Sequence, residues 1–235
     1  MWASARFQMA LGFCAGLLLL GACLGAAYWV LAPERFPVQR VDFRGELALT
    51  TRAELEAALP RAAANGAGNF FAADLAELRA SVERLPWVRR VSVRRIWPDR
   101  LEVSVEEHVA LARWGEDRLV NSFGETFKAR TKRELPVFVA PAGSSAEVAH
   151  RYRRFAAIVA PLETAVERVV LTPRHAWQLR LDNGLHLMLG RDADAAEARL
   201  RRFVEVYPAM GRKHLEYVDL RYPNGFALRV PGMGS

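Results

Sequence analysis

The sequence predicts an α+β protein in which one amino-terminal membrane helix is followed by two folded units. First, no charged residue lies between Arg6 and Glu34. Second, strand and helix patterns follow one another in the order β-α-α-β-β over residues 36–108. Third, residues 109–231 consist mainly of short strands separated by Gly and Pro turns, which predicts a mostly antiparallel β domain with flanking helices.

The uncharged segment predicts a membrane anchor. It contains "LGFCAGLLLLGACLGAAYWVLA", and at ~1.5 Å per residue a helix of this segment exceeds the ~30 Å hydrocarbon core of a bilayer. We therefore predict a short cytoplasmic tail over residues 1–8 and a transmembrane helix over residues 9–33, with Tyr28 and Trp29 at the outer interface. The tail is too short to form a domain, so the folded units are expected outside the cytoplasm.

Two other interpretations of this segment remain open. A cleaved secretory signal has a shorter apolar region, of ~7–15 residues. The stretch "LGAC" resembles a lipoprotein-processing box that would leave Cys23 lipidated, but the chain stays apolar through Pro33 instead of turning polar at once. The length of the segment favours an uncleaved anchor.

The first unit has a clear pattern for each element. "FPVQRVDFRG" predicts a strand, and "TTRAELEAAL" predicts a helix that Thr51 and Glu54 begin as a capping box. "NFFAADLAELRASVERL" predicts a second helix capped by Asp74. The final "PWVRRVSVRRIWPDRLEVSVEEH" alternates apolar and charged residues on either side of "WPDR", which predicts a hairpin with arginines opposite glutamates.

The second unit alternates short strands with two helices. Strands are expected in "RLVNSFGETF", "LPVFVAP" and "ERVVLT", and helices in "HRYRRFAAIVAPL" and "DAAEARLRRFVEVYP". "WQLRL" and "LHLML" are joined by Asp182-Asn183-Gly184, a strong hairpin signal. "YVDLRYPNGFALRV" predicts another hairpin around Asn224-Gly225.

The composition and the motifs give no support for nucleic-acid binding, catalysis or metal binding. The 33 basic and 26 acidic residues are interleaved along the chain, whereas a nucleic-acid surface concentrates its basic residues. The sequence has none of the motifs HExxH, CxxC, GxSxG or GxGxxG, and both cysteines lie in the apolar segment. We interpret Asp192 and Asp194 as helix-capping residues, and Glu106-Glu107-His108 as a solvated rim. No catalytic residue, metal ligand or cofactor is predicted.

The order of these motifs closely resembles the FtsQ/DivIB family of bacterial cell-division proteins, in its Gram-negative form. The resemblance is carried by "LPWVRRVSVRRIWPDRLEVSVEEHVALARW", "LVNSFGETF" and "YVDLRYPNGFALRV" after a single span. It implies a POTRA domain at residues 36–108 and an FtsQ-type β domain at residues 109–231. It also implies a single-pass protein of the cell inner membrane at the division septum, with the amino terminus cytoplasmic and the carboxyl terminus periplasmic.

The function implied by the resemblance is that of a non-enzymatic scaffold without a cofactor. The scaffold would bind FtsB and FtsL in a ternary complex and link early division proteins to the septal peptidoglycan synthase, with FtsK, FtsW and FtsI as further partners. The alternative is a periplasmic POTRA-type chaperone or transport module. Such proteins continue into a membrane β-barrel, for which too little chain follows residue 108.

The resemblance also implies where the partners bind. Residues 226–230 are expected to form a sheet edge, to which a partner strand of FtsB type can be added. The residues expected at this contact are Arg174, Arg221, Tyr222, Asn224, Gly225 and Phe226. From the residues alone, the simpler interpretation is that the aromatic side chains close the β core and Arg174 is solvated. Two residues depart from the family pattern: Pro223 stiffens the turn and removes a donor, and Val230 stands where relatives can have an aromatic residue, so a weaker contact is expected at the far end.

A second contact is expected on the POTRA domain. Its second strand contains Val91, Val93 and Arg94, which we predict to contact upstream division proteins such as FtsK.

Overall fold

The computed structural model describes residues 2–32, 36–60, 69–210, 215–222 and 225–229. The chain forms two compact units, Met1–Glu107 and His108–Ser235. The elements of the first unit are α1 (Trp2–Leu31), β1 (Arg40–Arg44), α2 (Arg52–Ala58), α3 (Leu75–Glu83), β2 (Val88–Ile96) and β3 (Arg100–Glu107).

Helix α1 has the length and composition of a membrane span. Its stretch Gly12–Val30 is apolar enough to cross a bilayer, and none of that stretch is buried inside the protein. The helix begins at Trp2, inside the predicted tail, because no helix-breaking residue separates the tail from the span. An apolar helix of this kind fits a single-pass membrane protein.

The rest of the first unit has the predicted β-α-α-β-β order. β3 lies in the middle of a three-stranded sheet, parallel to β1 and antiparallel to β2. α2 and α3 cover one face of this sheet, and Leu55, Leu78 and Val82 from the helices pack with Leu101 and Val103 from β3 in a closed core. Periodic apolar residues thus meet on one side of each element.

The helix caps of this unit were predicted correctly. Thr51 and Glu54 form a reciprocal capping box at the start of α2. The Asp74 carboxylate accepts hydrogen bonds from the first free amides of α3. Both arrangements satisfy amide groups that have no partner within the helix.

The charged face of the β2–β3 hairpin is also as expected. Arg94 stands opposite Glu102 and contacts its carboxylate at 2.7 Å, and Arg89 contacts Glu106 at 2.7 Å. The basic and acidic halves of this sequence therefore pair with one another across the strands.

The interpretation of residues 106–108 as a solvated rim was wrong for two of the three residues. The Glu107 carboxylate accepts hydrogen bonds from the backbone amides of Ala48, Leu49 and Thr50, the closest at 2.5 Å. Burial raises the pKa of Glu107, but these hydrogen bonds together hold the pKa below its ordinary value. His108 is buried and stacks on Phe127, with ring centroids 3.9 Å apart.

The second unit is built on one large sheet. Its strands are β4 (Ala110–Trp114), β5 (Arg118–Asn121), β6 (Thr126–Phe127), β7 (Val137–Val139), β8 (Val166–Leu171), β9 (Trp177–Leu181), β10 (His186–Gly190), β11 (Tyr217–Asp219) and β12 (Ala227–Arg229). Their order is β12-β11-β10-β9-β8-β7-β4-β5-β6. Within the described residues, the parallel pairs are β4–β7, β7–β8 and β10–β11, and the other five pairs are antiparallel.

Helices α4 (Ser145–Val159) and α5 (Ala193–Val206) complete the core of this unit. Phe155 of α4 and Phe203 of α5 are fully buried with Trp177 of β9. Asp192 caps α5 through its own side chain, as predicted. The fold is therefore the predicted mostly antiparallel β domain with helices packed against it.

Candidate partner-binding edge

The last strand of the chain lies at an edge of the large sheet, as expected. β12 pairs with β11 in antiparallel register, Val218 opposite Leu228. All three residues of β12 are exposed, and 45% of Leu228 is accessible. Within the described part of the chain, no strand lies beyond β12. A short exposed edge of this kind can accept an added strand.

A carboxylate clasp fixes the chain where it leaves β11. The buried Asp219 carboxylate accepts hydrogen bonds from the Arg221 guanidinium at 2.6 and 2.8 Å and from the Arg221 amide at 3.0 Å. The side-chain hydrogen bond from Arg221 lowers the pKa of Asp219, although burial acts in the opposite direction. The same pairing raises the pKa of Arg221. Arg221 is therefore held in one geometry while its exposed side remains accessible.

The two aromatic residues of this segment have different environments. Tyr222 is 54% exposed. Phe226 is half-buried and packs edge-on against Phe203, with centroids 5.8 Å apart. The prediction that both rings contact a partner therefore applies most directly to Tyr222, while Phe226 also closes the core.

Of the two other residues predicted in this turn, the structure describes one. Gly225 is exposed beside β12. Asn224, together with Pro223 and Val230, lies outside the described residues.

Four arginines line one cleft over β9 and β10, which Arg221 reaches from the end of β11. Arg174 and Arg221, which were predicted to share a contact, line a cavity of about 540 Å³ together with Arg191 and Arg199. The Arg199 guanidinium donates to the Leu189 carbonyl at 2.9 Å. Arginines concentrated around a cleft create a positive potential that suits a carboxylate.

Sequence reasoning missed Arg191 and Arg199. The β9–β10 register places Gly190 opposite Trp177, so Arg191 lies near the residues that precede Trp177. That relation could have been read from the hairpin signal at residues 182–184. Arg199 arrives from α5, and only the packing of that helix brings it to the cleft.

Gly190 allows two arginine side chains to pass close to the strand. Its φ is +92°, in the region that disfavours other residues. A Cβ at this position would lie 3.1 Å from the Arg199 guanidinium and 3.4 Å from Cγ of Arg221. The glycine therefore shapes one wall of the cleft.

The second predicted contact lies on β2, which is also a sheet edge. Val91 is only 2% exposed, so its side chain belongs to the core and a partner at this strand would meet its backbone. Val93 is half-buried, and Arg94 is exposed but paired with Glu102. The Val91 amide donates to the Glu83 carboxylate of α3 at 3.2 Å, so one backbone donor beside this edge already has a partner.

The described residues contain no group of three or more His, Cys, Asp or Glu side chains that could hold a metal ion. The exposed strand edge and the arginine-lined cleft are features suited to binding a polypeptide.

Comparison with known proteins agrees with this architecture. Residues 36–108 match the family described as "POTRA domain, FtsQ-type", and residues 112–221 match "Cell division protein FtsQ/DivIB, C-terminal". The chain is 39% identical to "Cell division protein FtsQ" of Burkholderia pseudomallei over 99% of this chain and 96% of that protein. It is 42% identical to the protein of that name from Nitrosospira multiformis, over 86% of each chain. It is 34% identical to that of Escherichia coli, over 85% of this chain and 75% of that protein. The chain belongs to the FtsQ/DivIB family of cell division proteins.

Proposed function

We propose that this protein is a non-enzymatic scaffold of the division machinery that binds FtsB and FtsL and connects early division proteins to the septal peptidoglycan synthase. The observation that carries the proposal is the exposed edge strand β12 together with a cleft lined by arginines, among them Arg221 at the end of the neighbouring strand, in a chain of the FtsQ/DivIB family. The protein would lie in the inner membrane at the septum, with the amino terminus cytoplasmic and both units periplasmic. FtsK, FtsW and FtsI are proposed as further partners.

The chemistry of the edge supports a specific kind of partner. A segment of FtsB would add a strand to β12 through main-chain hydrogen bonds, which give affinity with little sequence preference. A carboxylate of the same segment would reach the arginines that line the cleft, and Arg221 is preorganised for it by Asp219. An apolar partner side chain would pack on Tyr222. These contacts together give both affinity and register.

The test is a titration of the full chain in nanodiscs with the periplasmic segment of FtsB from the same organism. Tyr222→Ala removes an exposed ring beside β12, and we expect the affinity to fall about tenfold or more, as at other aromatic interface anchors. Phe123→Ala is the matched control. Phe123 is 59% exposed and follows β5, near the opposite edge of the same sheet, so its loss should leave binding unchanged.

A second readout locates the contact. On binding, the backbone amides of residues 227–229 should exchange with solvent more slowly, because a partner strand covers them. Binding that is equally strong in the Tyr222→Ala protein, without this protection, would show that the partner docks elsewhere. Absence of binding to the wild-type chain would contradict the scaffold function itself.

A further inference from the structure

The end of the first unit that adjoins α1 carries a cluster of aromatic side chains. Trp29 of α1 contacts Phe36 edge-on, with centroids 6.3 Å apart, and Phe36 contacts Phe71 at 5.3 Å. Phe71 remains 44% exposed. An unbroken series of ring contacts therefore runs from the membrane helix to an exposed phenylalanine of the folded domain.

Asn69 fixes this end of the domain to the end of the membrane helix. Its buried side-chain amide donates to the carbonyls of Val30 and Ala32, both at 2.8 Å. Its carbonyl oxygen accepts from the amides of Phe71 and Ala72. The amide thus satisfies carbonyls left free where α1 ends, and it holds residues 69–72 beside them.

The turn between β2 and β3 lies at this same end of the sheet. The Gln39 amide donates to the Asp99 carbonyl at 2.9 Å, and Arg40, the first residue of β1, pairs with Arg100, the first residue of β3. Trp97 projects from this turn and is 76% exposed. A second large aromatic side chain is thereby placed at the end of the domain next to α1.

Two arginines lie at the same end of the domain as these rings. The Arg95 guanidinium donates to the carbonyls of Phe70, Phe71 and Ala73, which ties the end of β2 to the Asn69 segment. Arg40 is exposed at the start of β1. Tryptophan and phenylalanine rings beside arginines are suited to the bilayer interface, where the rings contact acyl chains and the cations meet phosphates.

We propose that this end of the first unit, with Phe71, Trp97, Arg40 and Arg95, is a lipid-contacting face that rests on the phospholipid headgroups around α1. Two observations identify the bilayer as the occupant. The face is continuous with the end of a helix that has the composition of a membrane span, through the Asn69 hydrogen bonds and the ring contacts. A headgroup layer is only roughly 5–8 Å thick on each side, so side chains fixed at the end of the span lie within it.

Contact of this face with the headgroups would fix the orientation of the folded domain of the first unit relative to the membrane. A single helix end would leave a domain free to tilt, whereas insertion of Phe71 and Trp97 adds further points of contact. The opposite end of the sheet, where Glu107 ends β3, would then project away from the bilayer.

The test uses the full chain in nanodiscs of phosphatidylethanolamine and phosphatidylglycerol, with Cys14 and Cys23 replaced by alanine. A nitroxide is attached at Phe71→Cys or at Trp97→Cys, and its collisions with oxygen and with a water-soluble nickel chelate are measured. Leu49→Cys is the matched control. Leu49 is 46% exposed, and its amide bonds to Glu107 at the far end of the sheet.

Each outcome decides the proposal. Labels at residues 71 and 97 that collide with oxygen in preference to nickel, while the label at residue 49 collides freely with nickel, support lipid contact. Free collision with nickel at all three positions would show that the face is in water and would overturn the proposal. Exclusion of both agents at residues 71 and 97 would show a protein contact instead, which also overturns it.

A second measurement does not depend on labels. In nanodiscs of brominated lipids, Trp97→Phe should lose part of the tryptophan quenching seen in the wild type. Trp87→Phe is the control, because Trp87 precedes the other end of β2, whose nine residues span roughly 30 Å. Identical losses from both variants, or none from Trp97→Phe, would contradict lipid contact. Asn69→Ala should reduce quenching of Trp97 by releasing the face from α1.

Discussion

The edge strands β2 and β12 belong to different sheets and differ in what already occupies them. β2 is a strand of nine residues whose Val91 amide is bonded to Glu83 and two of whose arginines, Arg89 and Arg94, are paired with glutamates. β12 has three residues, all exposed, and Arg221, which follows its partner strand β11, lines a cleft with three other arginines. The longer edge is therefore partly occupied by side chains of its own domain, while the shorter one is exposed along all three residues.

This comparison shows that a strand at the edge of a sheet is not necessarily a docking site. Glu83 reaches the Val91 amide from α3 and also pairs with Arg79 at 2.9 Å. A partner strand added at this position would have to displace that carboxylate. The contact predicted at Val91, Val93 and Arg94 therefore stays a prediction, and its most direct form involves the backbone and Arg94.

The largest effect is expected from removing the clasp that shapes the β12 edge. Asp219→Ala deletes the hydrogen bond from the Arg221 amide and the charge-assisted hydrogen bonds from its guanidinium, and we expect a loss of about 2 kcal/mol in unfolding free energy. Partner binding should weaken as well, because Arg221 is no longer held. Urea unfolding followed by near-ultraviolet circular dichroism measures the first effect and titration the second.

Asp117→Ala is the control for that variant. Asp117 pairs with Lys128 at 3.8 Å, and both side chains are more than two-thirds exposed. A surface pair of this kind contributes about 0–1 kcal/mol, so stability should change little. Equal destabilisation by the two substitutions would show that the clasp has no special role.

The next largest effect is expected from placing a glutamate on each of the two edge strands in turn. Leu228→Glu places a carboxylate on β12 beside the proposed partner strand, and we expect the affinity for the FtsB segment to fall about tenfold, with stability unchanged because Leu228 is 45% exposed. Ser92→Glu makes the corresponding change at an exposed position of β2. If Ser92→Glu weakens this binding and Leu228→Glu does not, the roles assigned to the two edges are reversed.

A smaller effect is expected on hydrogen exchange of the Val91 amide of β2 when its acceptor is removed. Glu83→Ala removes the acceptor of the Val91 amide, which contributes on the order of 1 kcal/mol, so exchange of this amide with solvent should become about fivefold faster. Hydrogen exchange at single-residue resolution measures it. Glu77→Ala, an exposed glutamate on the same helix, should leave the rate at Val91 unaltered. An unchanged rate in Glu83→Ala would remove the physical basis for distinguishing the two edges.

The smallest effect in ordinary buffers is the pH dependence of the clasp. Because the folded-state pKa of Asp219 lies below its unfolded value of ~3.9, its stabilising contribution is complete above about pH 5 and is lost as the pH falls through the folded pKa. Unfolding free energy should therefore change little from this group between about pH 7 and pH 5 and decline below about pH 4. Asp219→Asn should reduce that decline in acid, and an identical acid profile in the variant would contradict the assignment.

Much of the fold could be predicted because its signals are local. The capping box of Thr51 and Glu54, the Asp74 and Asp192 caps, and the hairpins around residues 97–99 and 182–184 each involve side chains within a few residues of one another. The Arg94–Glu102 pair was predictable because a hairpin fixes which residues are opposite.

The candidate site was predictable only in part. Arg174 and Arg221 were expected at one contact through resemblance to the family, and they do line the same cleft. The part played by Arg199 depends on α5 packing against β10, and the side chain of Val91 proved to be core because α3 covers it. Alternation along a strand gives two faces but does not say which face is covered.

The sequence by itself determined the apolar helix, the order of the elements and membership in the family, because periodicity and motifs act over short stretches of chain. Only the tertiary structure decided that Asn69 caps α1, that Glu83 bonds the Val91 amide of β2 and that four arginines line one cleft. These contacts join residues whose proximity depends on how helices pack against sheets. Packing depends on the combined shape of many side chains, which no single stretch of sequence contains.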